Sequence, residues 1–377
     1  MKRRELIRSA VAACAAGVPI WSRAQSSNKI VLGQSAAFTG PASALGEQFK
    51  IGARLLFDKV NAGGGVAGHA IELQSIDDGY EPDRCVANTK TFIERGVHAL
   101  FGYIGTPTSL AALPLVTAAK IPFIAPFTGA EALRTPFNRH VFHVRASYFD
   151  ETAEIVKQLL AVGIRRIGAF YQNDSYGKTG LEGVTRALKP HGLTPTGLGT
   201  VERNTVAVDA AVKSILADKP DAIVQISAYK SCAAFIRAAR SAGFGGTFYN
   251  VSFVGTQALA RELVADARGV VVSQVMPFPF TAASALSSDY LGAGRAALGE
   301  KFEPNYSSME GYVAAKVLIE ALRRSAGNAA SERLIGALES MHDFNLGGFF
   351  VDLNAQKHTG SKFVELTILQ TDGRVRR

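Results

Sequence analysis

Two loops in this sequence carry the residue types that could receive a small anion. Gly105-Thr106-Pro107-Thr108-Ser109 follows the apolar run 98–104, and Pro126-Phe127-Thr128-Gly129 follows the run 121–125. Pro107 suits the first turn of a helix, where its missing N–H costs nothing, and Thr106 suits the N-cap. The first N–H groups of a helix have no partner within it, so amides and hydroxyls gathered there suit an oxyanion such as a carboxylate. Other patterns fail on context. The run 63–68 satisfies G-x-G-x-x-G but lies between a helix and a strand, the reverse of the order a dinucleotide needs. Asp77 and Asp78 are adjacent at a strand end and face opposite sides, which fits a turn or cap better than an acid–base pair. His140 and His143 oppose each other in the same way with no third ligand nearby, so no metal is expected. Gly-x-Ser-x-Gly, His-Glu-x-x-His and Gly-x-x-x-x-Gly-Lys are missing, which argues against an enzyme, and no cofactor is expected.

The two loops flank a helix predicted over 106–119, between strands predicted over 98–104 and 121–125. A βαβ unit of this kind places both loops at the carboxyl edge of a parallel sheet, where such sheets bind ligands. The same alternation precedes and follows it. Strands are predicted over 29–36, 71–76, 140–145, 164–171, 196–201, 222–226, 247–251 and 269–276. Helices are predicted near 45–60, 82–95, 151–162, 178–188, 206–216 and 232–241. This is an α/β pattern with parallel sheets covered on both faces. Its later strand-to-helix loops offer Tyr176, Tyr229 and Ser252 toward one edge. Helices near 282–302, 307–323 and 331–341 precede two runs, 347–353 and 362–370, that read as an antiparallel pair.

The first 24 residues read as an export signal rather than part of the fold. Met1-Lys2-Arg3-Arg4 is basic, Val11–Ile20 is a short apolar run, and Ser22-Arg23-Ala24 resembles a cleavage site. Arg3-Arg4 admits a twin-arginine route or an ordinary secretory one, and both place the chain in the periplasm. The chain has 41 Lys/Arg against 32 Asp/Glu; five and one of these fall in residues 1–24, which leaves +5 after cleavage. Dispersed charge of that size does not suit nucleic acid. About 350 mature residues exceed one ordinary core, so two domains are the default. Cys85 and Cys232 lie in different helices and read as small buried residues, with a disulfide possible.

Taken in order, Phe38-Thr39-Gly40-Pro41, Asn61-Ala62-Gly63-Gly64-Gly65, Asp77-Asp78, 102–109, Pro126-Phe127-Thr128, Tyr176-Gly177 and 237–243 match a family. The chain resembles the periplasmic substrate-binding proteins of ABC importers for branched-chain amino acids, across nearly its whole mature length. The resemblance implies a type I periplasmic-binding fold: two Rossmann-like lobes, 28–146 plus 277–346 and 147–276 plus 347–377, joined by three crossovers near 145–148, 273–277 and 345–348. It implies a monomer that closes on solute by hinge motion and docks on an ABC permease in the inner membrane. A sensor of the same fold is the alternative to transport.

Residue by residue, the resemblance puts the carboxylate-holding hydroxyl at Thr106, beside Gly105. It draws backbone groups from Phe127, Thr128 and Gly129, makes Thr128 the second hydroxyl, and makes Tyr176 the cover from lobe two. Departures bear on the ligand. The family's disulfide cysteines are Tyr80 and Gly105 here, and a second tyrosine becomes Ala228, with Tyr229 beside it. The acid that meets an amino acid's ammonium aligns with Ser252. Either Asp150 or Glu310 replaces that acid, or the ligand has no α-ammonium, because a buried ammonium without a carboxylate is strongly penalised. An apolar amino acid is the expectation, since transporters of this fold mostly carry them. A small aromatic or aliphatic carboxylate is the rival, favoured by Phe127, Tyr176, Phe253 and Phe278.

Overall fold

Apolar strands alternating with amphipathic helices build two sheets, because each strand must be covered on both faces and each helix must bury one. The computed structural model describes residues 29–377, so the export-signal reading of residues 1–24 lies outside the described residues. In lobe one, β1 (Lys29–Ala36), β2 (Ala70–Asp77), β3 (Ala99–Phe101), β4 (Phe123–Ile124) and β5 (Val141–Phe142) pair in the order β2-β1-β3-β4-β5. All four pairings are parallel, and β1 runs in register with β2 from Lys29 opposite Ala70 to Ala36 opposite Asp77. Helices α1 (Ser43–Ala62), α2 (Pro82–Glu94) and α3 (Thr106–Ala119) are its crossovers.

The chain then passes to lobe two through residues 143–147. There α4 (Tyr148–Ala161), β6 (Ile167–Gln172), α5 (Ser175–Leu188), β7 (Leu198–Val201), α6 (Asp209–Ala217), β8 (Ala222–Ile226) and α7 (Tyr229–Ser241) continue the alternation. They are followed by β9 (Thr247–Asn250), α8 (Thr256–Leu263) and β10 (Val271–Gln274). Helices α9 (Ala285–Leu298), α10 (Tyr306–Arg324) and α11 (Ser331–Glu339) come next, and α10 packs along α1 of lobe one. The short hairpin β11 (Phe344–Asn345) and β12 (Phe350–Val351) precedes β13 (Glu365–Leu369) and β14 (Val375–Arg376) in the second sheet. That sheet has the order β14-β13-β10-β9-β8-β6-β7.

Three features differ from the sequence reading. Helices α4, α5 and α7 each begin one turn earlier than periodicity predicts. Ser147 and Asp174 cap the first two with side-chain oxygens, and α7 starts directly after Ala228. That extra turn places Tyr148, Tyr176 and Tyr229 at helix starts, facing the other lobe. The run 347–353 does not pair with 362–370: β12 pairs with β11, and β13 pairs antiparallel with β10 and β14, covering what would be an open sheet edge. Helix α8 occupies a stretch with no assigned element in the sequence reading. Cys85 and Cys232 are buried free thiols in separate lobes, so the possible bridge is not formed. Among the described residues no helix is long and apolar enough to cross a membrane.

Two glycines set the contact between α1 and α10. A Cβ on Gly52 would lie 1.7 Å from the Ser308 carbonyl oxygen, and one on Gly311 would lie 2.0 Å from that of Phe49. The obstacles are main chain and cannot rotate away. Gly311→Ala is therefore expected to cost about 1–3 kcal/mol through overpacking, read as a lower midpoint in chemical denaturation.

Candidate functional site

Parallel strands in both sheets deliver their carboxyl-end loops to the seam between the lobes. From lobe one come Tyr80 after β2, Gly105 and Thr106 after β3, and Phe127 to Gly129 after β4. From lobe two come Tyr176 after β6, Tyr229 after β8, and Ser252 and Phe253 after β9. Thr106, Thr128, Tyr176 and Phe253 are fully buried there, and Phe127 and Tyr229 nearly so.

Gly105, not Thr106, is the N-cap of α3. Its φ of 99° and ψ of 159° suit glycine, and an added Cβ would lie 2.2 Å from the Tyr80 ring. Thr106 is thereby freed from capping, and its Oγ1 lies 2.6 Å from Thr128 Oγ1. Thr128 Oγ1 donates to the Tyr148 hydroxyl at 3.3 Å. Burial pushes the Tyr148 phenol up to about 12, so it stays a neutral donor. The N–H groups of Phe127 and Thr128 donate to Tyr103 O and Pro126 O, and the Gly129 carbonyl accepts from Tyr148 N. The main-chain donors left free beside the hydroxyl pair are therefore those that open α3 rather than those of the 127–128 turn.

Aromatic rings enclose this hydroxyl pair. Tyr80 and Phe127 of lobe one meet Phe253 of lobe two at centroid distances of 5.8 and 5.7 Å. Tyr176 lies 4.7 Å from Phe253 and 5.2 Å from Tyr148. The predicted Phe278 stands apart, packed on Phe280 and Tyr306. Tyr229 spans the gap, its hydroxyl accepting from Ala44 N at 3.4 Å. The rim is clasped by Arg203 to Glu81 at 2.8 Å, Asn204 to Gly79 O at 3.0 Å, and Arg261 to Glu303.

The acidic replacements foreseen for Ser252 divide. Asp150 forms a capping box with Ser147, its Oδ2 accepting from Ser147 N at 3.0 Å, and stands away from the hydroxyl pair. Glu310, on α10, is buried with Oε1 3.5 Å from Arg145 Nη1. The carboxylate that does reach Ser252 is Glu151, one residue past Asp150. It accepts from Ser252 N at 2.7 Å, Ser252 Oγ at 3.0 Å and Ser273 Oγ at 2.6 Å. Arg145, 1% exposed, completes the group: its Nη2 donates to Glu151 Oε1 at 3.3 Å and to Ser252 Oγ, and its Cζ lies 4.9 Å from the Phe127 ring centre. Arg145 and Glu151 were missed, although each left a signal. Arg145 is a lone charge ending an apolar strand, and Glu151 falls on the buried stripe of α4 with Tyr148, Thr152, Ile155 and Leu159.

Burial pushes the Glu310 carboxyl up to about 7, against the pull of Arg145, and the Asp78 carboxyl up to about 6. Both groups hold a proton in the folded chain at pH values where the unfolded chain has released it. Stability is therefore expected to fall as pH rises from about 4.5 through 7, with Glu310→Gln flattening the upper part of the profile in thermal melts. Asp77 and Asp78 serve the turn role: Asp77 accepts from Phe38 N and Gly79 N, and Asp78 from Ser35 and Tyr80 N.

The sequence pattern of the family described as periplasmic binding protein matches residues 29–374. The chain belongs to this family. Leu/Ile/Val-binding protein homolog 7 of Brucella abortus is 24% identical over 95% of this chain and 92% of its own. A possible leucine/isoleucine/valine-binding protein from Rhodopirellula baltica superposes with a TM-score of 0.89 at 34% identity, covering 93% of this chain and 96% of that one. A substrate-binding periplasmic protein from Ralstonia solanacearum gives 0.86 at 32% identity, covering 92% and 99%. The fold is thus the type I periplasmic-binding fold, and the chain is a solute-binding protein rather than an enzyme.

Proposed function

We propose that this protein is the periplasmic component of an ABC importer, exported as a monomer, that closes around a small carboxylate and delivers it to a membrane permease. The observation that carries the reading is the buried Thr106–Thr128 hydroxyl pair at the start of α3, set between the lobes under Tyr176 and Tyr229. The ligand carboxylate docks on lobe one, where the helix terminus contributes about 0.3–1 kcal/mol, and lobe two then excludes water. Closure follows because the ligand bonds to both lobes only when they meet. We take the lobes as 28–146 with 277–346 and 147–276 with 347–377. The bonds of His143 to His358 and Gly360 favour moving the third crossover to 361–364.

Of the two ligand classes, a carboxylate without an α-ammonium is the better supported. Arg145 lies against Ser252, where an ammonium would have to sit, and the unmet buried groups in the cluster are its own donors, Nε and Nη1. An amino acid remains the second reading, supported by Glu151 on Ser252 and by the leucine/isoleucine/valine-binding relatives. A thermal-shift screen separates them, because a solute at 100 times its dissociation constant adds about 2.7 kcal/mol. Stabilisation by benzoate or short aliphatic acids, and not by leucine or valine, is expected. The reverse ranking would select the amino acid, and no shift from either class would overturn the carboxylate seat.

A further inference from the structure

We propose that Arg145 is a second ligand seat in the cleft, taking the far acidic group of a dicarboxylate through Nε and Nη1, and that Glu310 accepts a proton as it yields Arg145 to the ligand. This rests on the first carboxylate docking at Thr106 and Thr128.

Five guanidinium N–H donors need acceptors. Nη2 is satisfied by Glu151 and Ser252, but Nε and Nη1 find none among the described residues, although the side chain is 1% exposed. Glu310 stands 3.5 Å from Nη1, too far and too poorly aligned to be its hydrogen-bond acceptor. Unmet donors on a buried cation are costly, and a carboxylate satisfies both at once in the side-on, two-bond geometry that arginine favours. The guanidinium is also well placed: it lies over the Phe127 ring of lobe one and touches Ser252 of lobe two, beside the ring cluster that encloses Thr106 and Thr128.

Charge decides what happens to Glu310. The groups facing it are Arg145 from the first crossover, Glu151 from α4, and the more distant Arg134. Glu151 is committed to four donors from Arg145, Ser252 and Ser273, so it is held in place. A second ligand carboxylate on Arg145 would put three anionic groups around one guanidinium. Glu310 already holds its proton unusually tightly through burial, so it relieves the excess by binding one from solvent. One O–H bond forms on Glu310 and one bond to that proton breaks on the hydronium or buffer acid that gives it up. An ammonium ligand would have the opposite effect and drive the proton off.

Isothermal titration calorimetry in buffers of different ionisation enthalpy tests this, with succinate, glutarate and terephthalate set against butanoate and benzoate. The diacids are expected to bind at least tenfold more tightly than the matched monoacids. Binding takes up as much as about one proton above neutrality, with affinity falling about tenfold per pH unit there. Glu310→Gln is expected to bind the diacid with no proton uptake and no pH dependence across neutrality, and Arg145→Gln to erase the preference for diacids. Should Arg145→Gln fail to fold, Glu310→Gln alone decides. Equal affinity for monoacids and diacids, or uptake that persists in Glu310→Gln, overturns the second seat. If monoacids bind and Thr106→Ala weakens them, the first seat survives that result; if neither class binds, both fall.

Discussion

Glu151→Ala lowers the thermal unfolding midpoint by roughly 6–20 °C. The carboxylate sits at the centre of lobe two's contact with the first crossover, holding Arg145, both polar groups of Ser252, and Ser273, with its side chain wholly inside the protein. Removing one partner of a buried ion pair costs about 3–5 kcal/mol, because the other charge is left in low dielectric. For a lobe of this size each kcal/mol shifts the midpoint by about 2–4 °C. Scanning calorimetry reads the effect directly, and the lobe-two transition should move further than that of lobe one. A midpoint within a degree or two of wild type would mean that Arg145 finds another acceptor or reaches water.

Thr106→Ala weakens carboxylate binding roughly 10- to 150-fold while leaving the fold intact. A hydrogen bond to a charged acceptor is worth about 1.5–3 kcal/mol, and Thr106 spends its hydroxyl on Thr128 rather than on capping α3. Its loss therefore subtracts from ligand binding and not from the helix, whose cap is Gly105. Titration calorimetry on Thr106→Ala and Thr128→Ala should give losses smaller in sum than the double variant suggests, since the two hydroxyls share one ligand group. Unchanged affinity in Thr106→Ala would remove the seat from this loop.

The framework of the site was legible because parallel strands fix where their loops go. Once β3, α3 and β4 are read from apolar runs and Pro107, Thr106 and the 126–129 turn must share one sheet edge, and in the folded chain their hydroxyls meet. Helix starts were less legible. Periodicity registers apolar positions, and the first turns of α4, α5 and α7 carry polar caps and tyrosines whose burial depends on the opposite lobe. The charge pattern was the least accessible. Asp150 and Glu151 are neighbours in sequence, yet 100° of helical rotation turns one to the cap and the other into the core, where it meets Arg145 from the crossover and Ser252 from β9. No local pattern brings residues 145, 151, 252 and 310 together: the packing of the crossover, α4 and the loop after β9 joins the first three, and the return of α10 adds Glu310.

The Tyr80 ring lying on Gly105 has a consequence for how this protein matures. The loop that carries Gly105 and Thr106 is braced by a buried ring and a main-chain kink, with Gln172 reaching across to the phenol at 3.3 Å. No sulfur takes part, and the two thiols the described chain contains lie deep in separate cores. The shape of this loop is thereby independent of thiol oxidation: the chain can finish it on folding alone, and a thiol reductant has nothing there to undo.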